Sequence, residues 1–476
     1  MAKEQPARIS YFFGKGYVDL WNTIKEAWAL NLATVVDQRD RMKKNFSEFG
    51  WDKEKIIYGF KGAISLVTLL AIFIFGSIIT AFTTAFHVGI LVFFFACIYL
   101  GFGLLWLVDR IYIFANKIRN ACPNSNCQAS FLIPVYECPT CKAKHTNLVP
   151  SKYGIMNRVC LCGTKLHTTF LNGRGKLKAY CPVCEQSLSG DTASRQYAFP
   201  VIGGPSVGKS CYINMTLHQM LNDVAPSAGW DLHFIEEKDE QNYEKEIRSL
   251  ESGVRLNKTN ESVLTAYQMM LAMPNEKIGR RIYIYDIAGE MFSSSSDFQV
   301  NKAYGYADGF IFIIDPLTLA QFMMEVEERI DPVAYGASSK DFGDILDIML
   351  INLGKMLELR EKDTVKRCLA VVINKVDVPT LEEKIGEDAA SRYYTDNPET
   401  CKTLGDARNE VCRQFLTEYG AGNFVRTAES KFQNVAYFPC SALGHNQNGE
   451  PFQGRHVVEP LLWLLQQIDS SVKAAG

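Results

Sequence analysis

Hydrophobic residues are distributed very unevenly along the chain, and the longest apolar run lies near the N-terminus. From Ala63 to Val108 the sequence contains no Asp, Glu, Lys or Arg. A membrane-spanning helix needs about 20 apolar residues, so this run is long enough for two spans. We expect transmembrane helices over residues 61–82 and 88–109, joined by a short turn near residues 83–87. Buried helices of a soluble domain are the alternative.

Basic residues flank this apolar run on both sides, whereas the predicted turn has none. They are Lys43, Lys44, Lys53, Lys55, Lys61, Arg110, Lys117 and Arg119. The positive-inside rule therefore places both ends in the cytosol and the turn outside. The pattern predicts an integral membrane protein with two spans, located in the inner membrane if the source is bacterial.

The segment before the apolar run, residues 1–55, forms a separate aromatic and basic arm. Leu20, Ile24 and Trp28 are spaced four apart, which predicts an amphipathic helix over residues 17–35. Two interpretations stay open. The helix can lie at a lipid interface, or it can pack on another part of the protein.

The second half of the chain, residues 196–470, alternates apolar strand-like runs with helical patterns. This alternation predicts an α/β fold in which helices cover a mostly parallel six-stranded sheet. The expected strands are 197–202, 263–272, 281–286, 309–314, 368–373 and 435–439. Long connections, such as residues 379–433, exceed what a minimal domain needs and suggest partner surfaces.

A phosphate-binding loop follows the first of these strands. It reads Gly203, Gly204, Pro205, Ser206, Val207, Gly208, Lys209 and Ser210, with Cys211 opening a helix. This pattern lets backbone N–H groups surround a phosphate chain at a helix N-terminus. We expect Lys209 to reach the β- and γ-phosphates and the Ser210 hydroxyl to bind Mg²⁺.

Motifs at the ends of three later strands point to guanine nucleotides. Asp286 ends one strand, where it can hold the Mg²⁺ shell through water, and Gly289 can meet the γ-phosphate. The run from Asn374 through Lys375 to Asp377 ends another. The Asp377 carboxylate can accept hydrogen bonds from the guanine ring N–H and amine, which adenine lacks.

The final motif, Ser441-Ala442, follows the last strand, and the Ala442 N–H can meet the guanine carbonyl. Four motifs in this order resemble the translation-factor-related and Ras-like class of P-loop GTPases. The resemblance implies Mg²⁺–GTP binding, a two-state switch, and base reading by Asn374, Lys375 and Asp377 supported by Ser441.

The same resemblance implies two further catalytic positions. Thr259, before the second strand, is the candidate switch threonine for Mg²⁺ and the γ-phosphate, although a solvated loop threonine is the alternative. Glu290 occupies the place of the water-orienting glutamine in Ras-like members. Its charge beside the γ-phosphate predicts slow intrinsic hydrolysis.

Eight of the 14 cysteines lie in four close pairs between the apolar run and the α/β region. They are Cys122 and Cys127, Cys138 and Cys141, Cys160 and Cys162, and Cys181 and Cys184. Paired thiolates on tight turns supply tetrahedral Zn²⁺ sites, and the segment 118–190 resembles a tandem zinc ribbon. Sequential pairing predicts one zinc on the first two pairs and a second on the last two.

Other metal chemistry is less favoured at these cysteines. His145 and His167 are alternative zinc ligands, and iron–sulfur ligation is a further alternative. Disulfides are disfavoured because we expect this segment in a reducing cytosol.

The net charge of −2 gives no basic field for nucleic-acid binding. With a membrane hairpin at 56–110, zinc ribbons and a GTPase domain, the chain is similar to bacterial double-GTPase proteins of conflict systems. We expect a membrane-anchored GTP-hydrolysing switch that acts on a protein effector and can form homo-oligomers. A GTP-binding scaffold without turnover and an oligomeric channel or transporter subunit are the alternatives.

Overall fold

The computed structural model describes residues 5–122, 127, 129–256, 265–274, 276–287, 305–331, 335–336, 338, 340–360, 362–445 and 449–472. Its strands in chain order are β1 Asn120–Ala121, β2 Ser130–Phe131, β3 Val135–Glu137, β4 Lys144–His145, β5 Asn157–Val159, β6 Lys165–His167, β7 Ala179–Tyr180, β8 Ser187–Leu188, β9 Arg195–Ile202, β10 Asp231–Phe234, β11 Thr265–Ala272, β12 Arg280–Asp286, β13 Gly309–Ile314, β14 Val365–Ile373 and β15 Phe432–Pro439.

The helices, in the same order, are α1 Lys15–Ser47, α2 Lys53–Ala115, α3 Lys209–Gln219, α4 Ala225–Ser227, α5 Glu237–Glu251, α6 Ala320–Val326, α7 Phe342–Met356, α8 Leu381–Ile385, α9 Glu387–Asp396, α10 Leu404–Leu416, α11 Gly422–Lys431 and α12 Glu459–Ile468. Helix α2 includes a π-helical turn at Ile72–Gly76, and a second such turn, Met220–Val224, joins α3 to α4.

The chain divides into two compact units. One comprises residues 1–115 and 135–177, and the other comprises residues 116–134 and 178–476. The predicted zinc-ribbon module at 118–190 is therefore divided. Residues 118–134 and 178–190 belong to the larger unit, and residues 135–177 belong to the smaller one.

The larger unit is built on a sheet that has seven strands among the described residues, in the order β10-β11-β12-β9-β13-β14-β15. Strands β12, β9, β13, β14 and β15 are parallel, while β10 and β11 add antiparallel edge pairs. All six predicted strands are present, but the predicted strand count was wrong. The seventh strand, β10, has alternating exposed and half-buried residues, as an edge strand does.

Side chains on the central strand β13 alternate between two hydrophobic cores. Phe310 and Phe312 belong to the core under helices α6, α7, α10 and α11, whereas Ile311 and Ile313 belong to the core under α3, α5 and α12. Burial of both faces explains why this strand is apolar at every position. The sheet is thereby fixed between two helical layers, and its strand ends form a rigid platform.

In the smaller unit, α1 packs along α2. The Trp28 indole donates to Thr84 Oγ1 over 3.2 Å, and Asn31 Nδ2 donates to Ser77 Oγ over 3.3 Å. The predicted amphipathic segment thus lies within α1 and packs on another helix of the same unit. Small residues permit the close approach, since a Cβ on Gly62 would lie 3.0 Å from the Phe46 ring.

Helix α2 differs from the two-helix hairpin that the sequence predicts. Among the described residues it is the one helix long and apolar enough to cross a membrane. The expected turn at 83–87 is helical. No proline interrupts this segment of α2. The Thr83 hydroxyl donates to the Ile79 carbonyl and the Thr84 hydroxyl donates to the Thr80 carbonyl, so both hydroxyls find acceptors within the helix.

Candidate functional site

The phosphate-binding loop lies between β9 and α3, at the carboxyl edge of the sheet. Its glycines are sterically required, because a Cβ on Gly203 would lie 2.7 Å from the Ile313 carbonyl oxygen. A Cβ on Gly208, which has a φ of +91°, would lie 2.7 Å from Asn374 Nδ2. Ser206 also adopts a positive φ, +63°. The loop therefore has the tight turns that aim backbone N–H groups at an anion.

Lys209 is folded back onto the loop that it follows. Its Nζ donates to the carbonyl oxygens of Gly203 and Gly204 over 3.0 and 2.7 Å, and the side chain is buried. A buried ammonium requires compensating acceptors. Phosphate oxygens would offer stronger, charged acceptors at the same place.

The Mg²⁺ candidates Ser210, in the first turn of α3, and Asp286, at the end of β12, meet directly. Ser210 Oγ donates to Asp286 Oδ2 over 2.7 Å. The neighbouring strand β9 leads through the phosphate-binding loop into α3, which brings Ser210 beside the end of β12. A hydroxyl and a carboxylate at this separation match the oxygen donors that Mg²⁺ takes beside phosphates.

The adjoining residue Cys211 does not supply a charged group. Burial raises the pKa of its thiol to about 11, so that it is protonated at neutral pH. It lies in the first turn of α3, where the group that it could offer to a phosphate is its backbone N–H.

The base-reading candidates also converge at this edge. Asn374 Nδ2 donates to the Val207 carbonyl over 2.8 Å, and its Oδ1 accepts from the Ala442 N–H over 2.9 Å. The amide thus ties the loop to the ends of β14 and β15. The Ala442 N–H, which we expected to meet the guanine carbonyl, is used by Asn374 in this structure.

Asp377 and Ser441 form a second link between the two strand ends. The Ser441 hydroxyl donates to Asp377 Oδ1 and also accepts from the Gly444 N–H over 2.8 Å. One oxygen is held by the protein, which orients the carboxylate for a ligand with two N–H donors.

Lys375 pairs with a residue that the motifs do not include. Its Nζ donates to Asp315 Oδ2 over 2.7 Å. Asp315 directly follows β13 at the carboxyl edge, which is the position where ligand residues of such sheets lie. This position directly after an apolar strand is the sequence signal that could have identified Asp315 as a site residue. Of the other predicted residues, Thr259, Gly289 and Glu290 lie outside the described residues.

The eight paired cysteines form two four-thiol clusters, but not in the predicted combination. One cluster holds Cys122, Cys127, Cys181 and Cys184, and the other holds Cys138, Cys141, Cys160 and Cys162. The sequential pairing was therefore wrong. The first cysteine pair joins the last one, and the two middle pairs join each other. Neither His145 nor His167 belongs to a cluster.

Both clusters have the dimensions of a zinc–thiolate site. In each, all four sulfurs lie within 4.8 Å of one another. The Cys122–Cys184 and Cys127–Cys181 sulfurs are 3.4 and 3.8 Å apart. Tetrahedral coordination with Zn–S bonds of about 2.3 Å places sulfurs about 3.8 Å apart, so the donor sets fit the metal.

Local turns explain how two of the pairs present their thiols. In the pair Cys181–Cys184, the Cys181 carbonyl accepts from the N–H of Glu185, which has a φ of +60°. Lys142 repeats this arrangement after Cys141. A left-handed residue after the second cysteine turns the chain so that both sulfurs point to one centre.

The cluster of Cys122, Cys127, Cys181 and Cys184 is connected to the sheet by hydrogen bonds of the two residues before Cys122. The Ala121 N–H, beside Cys122, donates to Gln196 Oε1 on β9 over 2.9 Å. Asn120 Oδ1 accepts from the buried Arg281 of β12 over 2.5 Å. These long-range contacts bring the first cysteine pair back to the last one, which sequence spacing does not specify.

Comparison with known proteins agrees with this geometry. A family model described as Double-GTPase 2 matches residues 198–449, which is more than half of the chain. No curated protein matches the chain. The matched region contains the phosphate-binding loop, the Ser210–Asp286 pair and the base-reading candidates Asn374, Lys375 and Asp377. The chain is therefore a P-loop GTPase of the Double-GTPase 2 family.

Proposed function

We propose that this protein is a membrane-anchored guanine-nucleotide switch that hydrolyses GTP to GDP slowly. The observation that carries the proposal is the meeting of three groups at one sheet edge. These are the phosphate-binding loop, the Ser210–Asp286 pair and the Asn374–Asp377 segment. The family membership supports the same reading.

Each group has a distinct task in this proposal. The loop N–H groups and Lys209 bind the phosphates, while Ser210 and Asp286 hold Mg²⁺. Bound Mg²⁺ would neutralise charge that develops on the β- and γ-phosphates. Asp377 selects guanine over adenine, because a carboxylate facing the unprotonated adenine ring nitrogen meets an acceptor instead of a donor.

The rate of hydrolysis depends on Glu290 and Thr259, the expected water-orienting and switch residues. A carboxylate near the γ-phosphate repels the charge that it must approach. We therefore expect an intrinsic turnover on the order of 10⁻³ s⁻¹ or less. A GTP-binding scaffold without turnover is the second candidate, and the identity of Glu290 is what favours it.

Purified full-length protein in detergent micelles tests both candidates. Fluorescent GDP binding, competed with GTP and with ATP, measures base selectivity, and single-turnover phosphate release measures hydrolysis. Lys209→Ala should abolish both signals. Tight GTP binding without phosphate release would favour the scaffold, whereas equal competition by ATP would contradict the guanine assignment.

The proposed membrane anchor is the charge-free part of α2. At 1.5 Å per residue, residues 63–108 extend over about 70 Å, whereas the hydrocarbon core of a bilayer is about 30 Å thick. One span cannot hold this length. Residues 83–87 are helical in the structure described above, so we propose that the helix breaks there in lipid and forms two spans. Both ends and the GTPase domain would then face the cytosol.

Labelling in intact cells tests this topology. A membrane-impermeant maleimide should react from outside with Thr84→Cys and not with Trp51→Cys, with the unmodified protein as background. Labelling of Trp51→Cys alone would show that the orientation is the reverse of the proposed one. Labelling of neither variant would contradict the proposed external turn.

We also propose that both four-thiol clusters hold Zn²⁺. Zinc would act there as a structural cross-link, since short strands such as β1 and β7 have little hydrophobic core of their own. The helices α8 to α11 between β14 and β15 are the proposed surface for a protein effector, because they exceed what the nucleotide site needs.

A further inference from the structure

Asp315 connects the base-reading lysine to a part of the chain outside the recognised motifs. Its side chain is fully buried, and three donors reach it. Oδ1 accepts from the Leu317 N–H over 3.1 Å, while Oδ2 accepts from the Ser338 N–H over 2.9 Å and from Lys375 Nζ over 2.7 Å. A buried carboxylate with this many partners holds each of them in a fixed position.

Asp315 and Lys375 also hold a segment that we call the strap. It is defined as the described residues Tyr335, Gly336 and Ser338. Lys375 Nζ also donates to the Gly336 carbonyl over 2.9 Å, so the lysine bridges Asp315 and the strap. Lys375 itself has a φ of +62°, a conformation that costs energy for a residue with a side chain. The contacts with Asp315 and Gly336 compensate for this cost.

The strap also touches the phosphate-binding loop. A Cβ on Gly204 would lie 2.8 Å from Ser338 Oγ, and that oxygen is buried. The strap therefore lies against the loop on one side and against Lys375 on the other. Asp315 is the residue common to these contacts, since it binds the Ser338 backbone and the lysine through the same oxygen.

We propose that Asp315 is a positioning residue of the nucleotide site, which holds Lys375 and the strap in place and thereby sets how long a guanine nucleotide stays bound. The proposal rests on the proposed function, because Lys375 lies between the base-reading residues Asn374 and Asp377. When Lys375 loses its anchor, its ammonium is free to leave the site. The strap then no longer supports the loop that binds the phosphates.

Asp315→Asn is the sharpest test, because the amide keeps the size and one oxygen acceptor but removes the negative charge. Release of fluorescent GDP from the full-length protein, chased with excess unlabelled GDP, should become about 10- to 100-fold faster. Turnover at saturating GTP should stay within about threefold, while KM rises. If Asp315 had only a structural role, its substitution would lower the amount of active protein, but the protein that remained active would keep the KM of the unmodified protein.

Asp341→Asn is the matched control. The Asp341 carboxylate also accepts from two backbone N–H groups, those of Gly343 and Asp344, but it is exposed and belongs to the start of α7. Asp341→Asn makes the same change from carboxylate to amide, but at a side chain whose hydrogen bonds are made within the start of α7 and not to Lys375. We expect GDP release within about twofold of the unmodified protein.

A second variant covers the case in which Asp315→Asn does not fold. Asp315→Glu keeps the charge but displaces it by one methylene, so that the carboxylate cannot serve Lys375 and Ser338 in the same geometry. We expect an intermediate rate of GDP release. Release at the unmodified rate by Asp315→Asn, or by Asp315→Glu if only that variant folds, would overturn the proposal. Equal acceleration by the Asp341 control would also overturn it.

The two failures can be told apart. If the unmodified protein binds no guanine nucleotide, the proposed function fails, and with it the basis for a role of Asp315. If it binds GDP and the Asp315 variants release it unchanged, the proposed function stands and only the role of Asp315 is refuted.

Discussion

The hydroxyl of Ser210 donates a hydrogen bond to Oδ2 of Asp286, with 2.7 Å between the two oxygens. The two residues are far apart in sequence and come together because β9 and β12 are parallel neighbours. This pair joins the phosphate-binding loop and the motif at Asp286 into one candidate Mg²⁺ site. It also predicts how the affinity for GTP should depend on the metal.

Ser210→Ala should remove most of the contribution of Mg²⁺ to GTP affinity. With Mg²⁺ present we expect the Kd for GTP to rise at least tenfold, because the metal loses a protein oxygen. With EDTA the variant and the unmodified protein should differ by less than about threefold. Titration of fluorescent GTP with and without Mg²⁺ measures both values.

Ser249→Ala is the control for this measurement, because its hydroxyl donates only to a carbonyl within α5. An equal loss of affinity with and without Mg²⁺ in Ser210→Ala would argue against metal binding at this pair.

Asp377→Asn should change the base that the protein selects. The carboxylate, held by Ser441, would become an amide that presents a donor where guanine also presents one. We expect GTP affinity to fall at least 100-fold and affinity for xanthosine triphosphate, which presents a carbonyl there, to rise. Competition against fluorescent GDP gives both changes.

Asp388→Asn, at an exposed position on α9, is the control for the base swap. Unchanged GTP affinity in Asp377→Asn would refute the assignment of base reading to this carboxylate.

Much of the nucleotide site could be predicted from sequence, because its residues follow apolar strands at short fixed distances. The strands β9, β12, β14 and β15 each end beside a motif, and parallel strands bring those ends together. Strand β10 could not be predicted in this way. It is short, and its sequence Asp231-Leu232-His233-Phe234 is half polar. Only its pairing with β11 makes it a strand.

The cysteine pairing shows a different limit. Spacing identifies which cysteines lie on one turn, but not which turns meet. Two contacts far along the chain decide that question, that of the Ala121 backbone with Gln196 and that of the Asn120 side chain with Arg281. Asp315 was missed for a related reason, since a lone Asp after a strand has no motif and gains meaning only from its contact with Lys375.

Metal content should reveal the interleaved pairing of the cysteines. The unmodified protein should contain about two zinc ions per chain. Replacing Cys122 and Cys184 together by serine should remove one ion, because both belong to one cluster. Replacing Cys122 and Cys141 together should remove both, because these belong to different clusters.

Sequential pairing predicts the opposite result for these two double variants, so the experiment separates the arrangements directly. Elemental analysis of the purified protein, normalised to protein mass, gives the counts. Replacing Cys401 by serine, a buried cysteine outside both clusters, is the control and should leave two ions bound.

Asp469 should contribute to stability in a pH-dependent way. Its carboxylate accepts from Arg195 Nη1 over 2.7 Å, from Tyr197 Oη over 2.9 Å and from the buried Arg280 Nε over 3.1 Å. Burial by itself would raise the pKa of Asp469, but hydrogen bonds from Ser471, Arg195 and Tyr197 and the charge of Arg280 hold it well below its usual range.

A native pKa below the unfolded value of about 3.9 means that the folded state binds the proton less readily. The stabilisation is therefore complete above about pH 5 and is lost as the pH falls through 4 towards the native pKa. Asp469→Asn should lower the free energy of unfolding at pH 7 by about 1.5–3 kcal/mol, since the buried Arg280 keeps Glu276 but loses the charged hydrogen bond to Asp469. This deficit should shrink between pH 5 and pH 3.

Unfolding midpoints of the full-length protein, measured by intrinsic fluorescence from pH 7 to pH 3, give this comparison. Asp231→Asn, at an exposed carboxylate of β10, is the control and should follow the unmodified protein at every pH. A deficit in Asp469→Asn that stays constant across the pH range would mean that packing, and not the ionised carboxylate, is what Asp469 contributes.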